Sequence, residues 1–385
     1  LPNTREKFDL NIYCIEITTT QYCNFRCNYC FENNTEINCS KNLEFDFNVL
    51  IEKIDKVLNS NWFKTEFDSL EIAFWGGEPT LNYKMITKIL DYYADNPIVN
   101  FFMYSNGGFP KRLLNFVRRL KDKKHSNPKI KKWRFQISYD GNPIHDICRK
   151  TVSGKPSSEI VKTTIKTLVE NGLDVVAKGT CPVNMFKYLP ASWIDALGLY
   201  NDSGGKVIYA VTIDYHGGIT DKQFKEAEDA LLTIARYEKE FYKKHGKFLS
   251  NIFSYNKQFC SSGRNMVCID VDGKAYFCHG AMYNNCPEMQ YTSIYDNDFV
   301  DQLERKYYEI PVPEDIDECK DCVSTMCLRC NIMKYIYSSK DSLQEKFNDW
   351  TSQPEQCEFY KMSGRITRAL LQLLEGEKQN AMRMQ

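Results

Sequence analysis

The chain has 385 residues with 50 Lys+Arg against 50 Asp+Glu, so its formal net charge is zero, which removes the basic footprint of a nucleic-acid-binding protein. Hydrophobic residues at 43% and charged residues at 26% are the proportions of a globular chain and exclude a disordered or membrane-embedded one. Cysteine is the outlier, with sixteen.

The opening segment LPNTREKFDLNIY has no apolar core of a secretory signal, and no apolar run reaches spanning length. A cytoplasmic protein without a membrane partner is expected, its cysteines serving as metal ligands rather than as a disulfide framework. The chain opens on Leu1 rather than Met, which reads as a trimmed start.

Asn11–Thr20 reads as a strand, followed by the polar loop QYCNFRCNYCFENN with three cysteines. Phe47, Leu50, Ile51, Ile54 and Leu58 recur at helical spacing, and Leu70, Ile72 and Phe74 alternate as a strand that ends at Gly76-Gly77. The same rhythm gives strands at Val99–Tyr104, Trp133–Ser138, Leu173–Thr180 and Lys206–Asp214. It gives helices at Tyr83–Ala94, Lys111–Leu120, Ser158–Glu170 and Thr220–Lys244, with Gly172 and Gly246 as stops. Six β–α units call for a parallel α/β sheet curling into a partial (β/α)6 barrel, short of the eight that close one. Lys121–Lys132 is a basic loop, read as a solvated connection.

Beyond about Ser250 the alternation gives way to short segments, turns and nine of the cysteines. Three units are therefore expected: a barrel over 1–246, a small irregular cysteine-rich domain over 247–360, and a C-terminal helix over 361–385. That helix is amphipathic, with Ile366, Leu370, Leu371 and Leu374 on one face.

Cys23, Cys27 and Cys30 are spaced C-x3-C-x2-C on one loop, with Tyr29 just before the last. Three thiolates this close can hold one metal centre and leave a coordination position open; a zinc with three protein ligands and a water is the alternative. The spacing, placed after the first strand of an incomplete barrel, resembles that of the radical S-adenosylmethionine (SAM) enzymes. The resemblance covers residues 11–215 and implies that the three thiolates bind a four-iron, four-sulfur (4Fe–4S) cluster whose fourth iron takes SAM. Gly76-Gly77-Glu78-Pro79 is similar to the family's GGEP segment, which holds the methionine amino group, the two glycines permitting close backbone approach. Ser105-Asn106-Gly107 ends the next strand. Ser138, Tyr139, Asp140 and Gly141, followed by His145-Asp146 and Arg149, resemble the stretch in which the Ser meets the ribose and the Arg reaches the SAM carboxylate.

In the second half, Cys260, Cys268, Gly273 and Cys278 are followed by Cys319, Cys322, Cys327 and Cys330, and then by Cys357. Two zinc ribbons are one reading; the dense run from Cys319 to Cys330 is closer to a ferredoxin-like clip. Beside a radical SAM barrel the pattern resembles a SPASM domain. The resemblance implies two auxiliary 4Fe–4S clusters, one on Cys260, Cys268, Cys278 and Cys330 and the other on Cys319, Cys322, Cys327 and Cys357. The middle run is tighter than the family's usual spacing. Cys14, Cys39, Cys148, Cys181 and Cys286 remain as structural residues, with Cys181 also weighed as a hydrogen-atom donor.

The resemblance implies an oxygen-sensitive radical enzyme in which a 5′-deoxyadenosyl radical abstracts hydrogen from a peptide. The leading expectation is crosslinking, thioether or carbon–carbon, of a ribosomally made precursor peptide, with auxiliary clusters taking the electron. Formylglycine generation, as in sulfatase-maturating enzymes, is the runner-up, because the Asp base expected after the Cys of G-x4-C is replaced by His279. A non-catalytic iron–sulfur or zinc scaffold is the alternative of another class. His279 has two readings, a hydrogen bond to a cluster sulfur and a general base; Tyr209 and Asp214, on the sixth strand, are the other candidates to take a proton. A flavodoxin or ferredoxin is the expected electron donor. With ten residues ahead of the first strand, no leader-recognition domain is expected there, and a separate leader-binding protein or another surface would serve.

Overall fold

The computed structural model describes residues 11–30, 45–214, 218–253, 260, 262–283, 287–310, 322–324, 327, 341, 345 and 354–383. Cys39, Cys286, Cys319 and Cys330 lie outside them.

Eleven strands are described: β1 (Ile12–Thr20), β2 (Phe25–Cys27), β3 (Ser69–Gly76), β4 (Val99–Ser105), β5 (Trp133–Ser138), β6 (Arg149–Thr151), β7 (Asp174–Pro182), β8 (Ile208–Asp214), β9 (Met266–Ile269), β10 (Lys274–Tyr276) and β11 (Gln290–Ser293). Nine form one sheet in the order β11-β10-β9-β1-β3-β4-β5-β7-β8. From β1 to β8 every neighbouring pair is parallel, and helices at Phe47–Asn59, Tyr83–Tyr93, Pro110–Leu120, Ser158–Glu170 and Leu189–Asp202 link successive strands. This is the expected partial barrel of six β–α units.

The period of two along each strand divides the sheet into two faces. Ile15, Ile17, Ile72, Phe74, Phe101 and Phe135 are fully buried toward the helices, each contributing about 1.5–3 kcal/mol of hydrophobic stabilisation. The alternate residues turn inward and are largely polar. Glu71 and Arg134 pair across the floor of the barrel, Arg134 lies 5.2 Å over the Phe102 ring, and the Asn100 amide donates to Glu71 over 3.5 Å.

The helix Asp221–His245 starts with a capping box on Thr220 and Gln223 and stops at Gly246, whose φ of 70° is left-handed. The helix Pro354–Arg383 carries buried Leu370 and Leu374 and stacks Phe359 on Phe186 at 5.6 Å. A Cβ on Gly364 would sit 2.0 Å from the Val323 carbonyl oxygen, so only glycine lets the segment carrying Cys322 lie against this helix.

The sheet does not end where the sequence changes texture. β9 pairs in parallel with β1, Glu16 opposite Cys268, and β10 and β11 extend it antiparallel. In the basic loop, Lys123 pairs with Asp95 and Lys131 with Asp174. Among the described residues no helix is long and apolar enough to cross a membrane.

Candidate active site

The ends of β1, β3, β4 and β5 meet at one mouth of the barrel, where barrel enzymes build their sites. The loop after β1 carries Cys23, Cys27 and Cys30, all half-buried, and no disulfide forms among the described cysteines. The short ribbon of β2 and β6 sets Cys27 opposite Arg149. Donors point at these sulfurs: the Phe25 amide at 3.4 Å and the Asn106 side-chain amide at 3.6 Å from Cys23 Sγ, and Arg149 Nη1 at 3.9 Å from Cys27 Sγ. Such donors favour thiolates over thiols, so the donor set fits a thiolate-bound iron–sulfur cluster. Among the described residues no three His, Cys, Asp or Glu side chains converge as a single-ion site.

The Gly76–Pro79 segment is joined to this loop. Gly77 N donates to Thr20 O over 2.9 Å and Glu78 N to Tyr22 O over 2.8 Å. A Cβ on Gly76 or Gly77 would lie 2.1 or 2.4 Å from the carbonyl oxygens of Thr20 and Tyr22. The close approach that demands these glycines is therefore by the chain's own backbone. Glu78 is also turned inward: its fully buried carboxylate accepts from Thr80 Oγ1 at 2.5 Å, Ser105 Oγ at 3.0 Å and Asn106 N at 2.8 Å. Burial raises its pKa, opposed by these donors.

Asp140 ties the opposite wall together. Oδ1 accepts the Thr180 amide at 2.8 Å, and Oδ2 accepts both Arg149 Nε at 3.0 Å and the Tyr29 hydroxyl at 2.5 Å. Burial opposes the Arg149 charge, yet Asp140, Tyr29 and Cys27 hold its pKa well above the ordinary value. Behind it, His145 Nδ1 accepts the Asp140 amide at 3.2 Å and Nε2 meets Ser157 Oγ at 3.0 Å. Ser157 gives its hydroxyl proton to Arg149 O at 2.6 Å, so the ring donates from Nε2 and is neutral. Burial pushes the His145 pKa down to about 4.

His279 opens a short helix directly after Cys278. Its Nδ1 lies 2.7 Å from Oε2 of the fully buried Glu16, and its ring stacks on Trp75 at 3.7 Å between centroids. Tyr104 meets it edge-on at 6.4 Å. Glu16, Trp75 and Tyr104 are site residues that the sequence reading missed; their only local signal is inward-facing parity on β1, β3 and β4.

The two candidates on β8 separate. Residues five apart on a strand face opposite sides, and Tyr209 is the outward one: its buried hydroxyl donates to Asp140 O over 2.6 Å. Burial raises its pKa well above the ordinary value, so this phenol holds the wall and is not a proton acceptor at the mouth. Asp214, half-buried, ends the inward row of β8. Cys181 is buried on the outward face with its thiol toward Pro182 O, away from the lumen.

Of the later cysteines, Cys268 lies buried with its sulfur 3.7 Å from Thr18 Oγ1, and burial, Glu16 and Cys278 raise its pKa. Cys357 is raised by burial and by neighbouring Cys322. Cys260 and Cys327 are half-buried, and Cys319 and Cys330 fall outside the described residues.

A radical SAM superfamily profile matches residues 17–185. An uncharacterized protein of Methanocaldococcus jannaschii is 33% identical over 142 residues, 37% of this chain and 43% of that protein. The radical SAM cyclopropyl synthase TigE of Paramaledivibacter caminithermalis is 29% identical over 209 residues, 50% of this chain and 40% of that protein. The matches thus span less than half the length of these relatives. In fold, the chain is similar to native anSMEcpe with bound AdoMet and Cp18Cys peptide, with a TM-score of 0.66 at 16% identity over 95% of this chain and 99% of that one. It is also similar to Streptococcus suis SuiB bound to precursor peptide SuiA, with a TM-score of 0.56 at 13% identity over 86% and 76%.

Proposed function

Because residues 17–185 form a domain of the radical SAM superfamily, we propose that the protein is a peptide maturase. It removes a hydrogen atom from a residue of a ribosomally made precursor peptide and closes a thioether or carbon–carbon crosslink. The observation that carries this reading is the convergence of the Cys23–Cys30 loop, the Gly76–Pro79 segment and the ends of β4 and β5 on one mouth, with hydrogen-bond donors aimed at the cysteine sulfurs. The precursor peptide bound by SuiB supports a peptide as substrate class.

Cys23, Cys27 and Cys30 would hold a 4Fe–4S cluster and the surrounding mouth would hold SAM, together supplying a radical able to take hydrogen from a C–H bond; the later cysteines would hold two auxiliary clusters able to accept an electron. The chain's own work is positional. Asp140 locks Tyr29 and Arg149 beside Cys27, and Glu78 locks Ser105 and Asn106 beside Cys23. His279 takes the proton released on bond closure at its imidazole, and Glu16 orients the ring and stabilises the cation. A flavodoxin or ferredoxin donates electrons, and a separate protein can present the leader.

Incubating reconstituted, reduced protein with SAM and a candidate precursor peptide tests the reading. 5′-Deoxyadenosine together with a peptide lighter by two hydrogens is expected; 5′-deoxyadenosine with an unchanged peptide mass refutes crosslinking. A second reading, formylglycine generation, gains from the Glu16–His279 pair, which puts a carboxylate-backed base where that chemistry uses Asp. Oxidation of a Cys or Ser in a sulfatase-derived peptide would select it.

A further inference from the structure

One strip of the inner wall has no work inside the protein. Gln136 and Ser138 are inward-facing residues of β5, and Lys178 is the inward-facing neighbour of Ser138 on β7. All three are half-buried. Among the described residues none of the three side chains has a hydrogen bond or an ion pair, whereas the two arginines nearby in sequence are paired, Arg134 with Glu71 and Arg149 with Asp140. Only burial acts on the Lys178 ammonium, lowering its pKa to about 8, with no neighbouring charge contributing.

Lys178 is not loosely placed. Its carbonyl accepts the Tyr139 amide at 2.8 Å. The next residue, Gly179, is packed so closely that a Cβ would stand 3.1 Å from Asp140 Cα and Tyr139 O. Beyond it the Thr180 amide is held by Asp140. A half-buried ammonium without a counter-charge carries a desolvation cost, and a rigid strand that keeps one facing a lumen, beside an amide and a hydroxyl that also lack partners, is arranged for an anionic ligand.

We propose that Lys178, with Gln136 and Ser138, is a carboxylate-binding strip of the barrel, taking the carboxylate of an acidic residue in the peptide substrate or that of SAM. Arg149, the residue expected from the sequence to reach the SAM carboxylate, already has its charge neutralised by Asp140, whereas Lys178 keeps its charge open to an incoming acid. The assignment rests on the peptide-maturase reading for the identity of the ligands, not for the existence of the strip.

The test compares the reconstituted full chain with Lys178→Met and Lys178→Arg. Equilibrium dialysis measures SAM affinity. In parallel, each protein captures peptides from an equimolar pool of octapeptides that carry Asp or Glu at one position, mixed with their Asn or Gln counterparts, with quantification by mass spectrometry. If the peptide is the source, the wild type enriches the acidic members at least about tenfold, Lys178→Met does not, and SAM affinity is unchanged. If SAM is the source, its affinity drops by a similar factor in Lys178→Met, recovers in Lys178→Arg, and the pool is not discriminated. Loss of neither overturns the assignment. Relief of an unpaired, half-buried charge also predicts that Lys178→Met melts no lower than the wild type in the absence of ligand; a lower melting temperature would mark Lys178 as a structural residue and overturn the proposal. A wild type that yields no 5′-deoxyadenosine under reduction counts against the maturase reading alone, because both binding arms read Lys178 without turnover.

Discussion

Glu16 and His279 stand 263 positions apart in sequence and 2.7 Å apart in space. One is an inward residue of the first strand; the other begins the helix after Cys278. A buried carboxylate against one imidazole nitrogen fixes the orientation of the ring. Glu16→Gln is therefore expected to lower peptide modification by about 100-fold while 5′-deoxyadenosine formation continues. Equal loss of both products would show that the pair serves SAM cleavage instead.

Asp140 carries three contacts at once, and its replacement leaves a guanidinium enclosed without a counter-charge. Asp140→Asn is expected to cost about 3 kcal/mol of stability, read as a lower urea midpoint with an unchanged slope. A loss below about 1 kcal/mol would mean that Arg149 finds another partner.

Gly77→Ala places a methyl group 2.4 Å from a backbone oxygen that no rotamer change can move. The expected cost is about 1–3 kcal/mol, with a displaced cysteine loop. Iron retained after desalting should fall along with stability; unchanged iron content would separate the glycine from the loop it touches.

His145 supplies a pH dependence. Its folded pKa of about 4 lies below the unfolded value of about 6.5, so the unfolded chain binds the proton that the folded chain refuses. This contribution is complete above the unfolded value and is lost as pH falls from about 6.5 toward 4, amounting to about 3 kcal/mol at most. Stability measured at pH 7 and pH 5 should drop more in the wild type than in His145→Asn. Equal drops would contradict a neutral buried ring.

The proposal of three clusters predicts about twelve irons per chain after anaerobic reconstitution. Cys27→Ala and Cys357→Ala should each lower the count toward about eight, and only Cys27→Ala should abolish SAM cleavage. Tightly bound zinc in place of iron would support the scaffold reading.

Much of the frame was legible because its signals are local. Alternation located β3, β4 and β5, and Gly246 stopped its helix where left-handed backbone was needed. The helix Leu189–Asp202 was hidden by Pro190 and Gly198, although proline is tolerated in a first turn. β9 to β11 have three or four residues each, too short for a period to register. At the site, the cysteine spacing was readable from the sequence, whereas Glu16 beside His279 and Lys178 beside Ser138 depend on strand register. Parity could have parted Tyr209 from Asp214, since the two differ by an odd number of positions on one strand.

The pairing of β9 with β1 has a practical consequence for anyone who would divide this protein. The first strand spends one edge on β3 and the other on a segment some 250 positions later. Cutting the chain near residue 246 would uncover the second edge along Cys14, Ile15, Glu16 and Ile17, a row of open backbone groups on a strand made to be interior. An excised barrel is thus expected to pair with itself and precipitate. The two cysteine-bearing halves are joined by main-chain hydrogen bonds, so they have to be expressed, reconstituted and unfolded together.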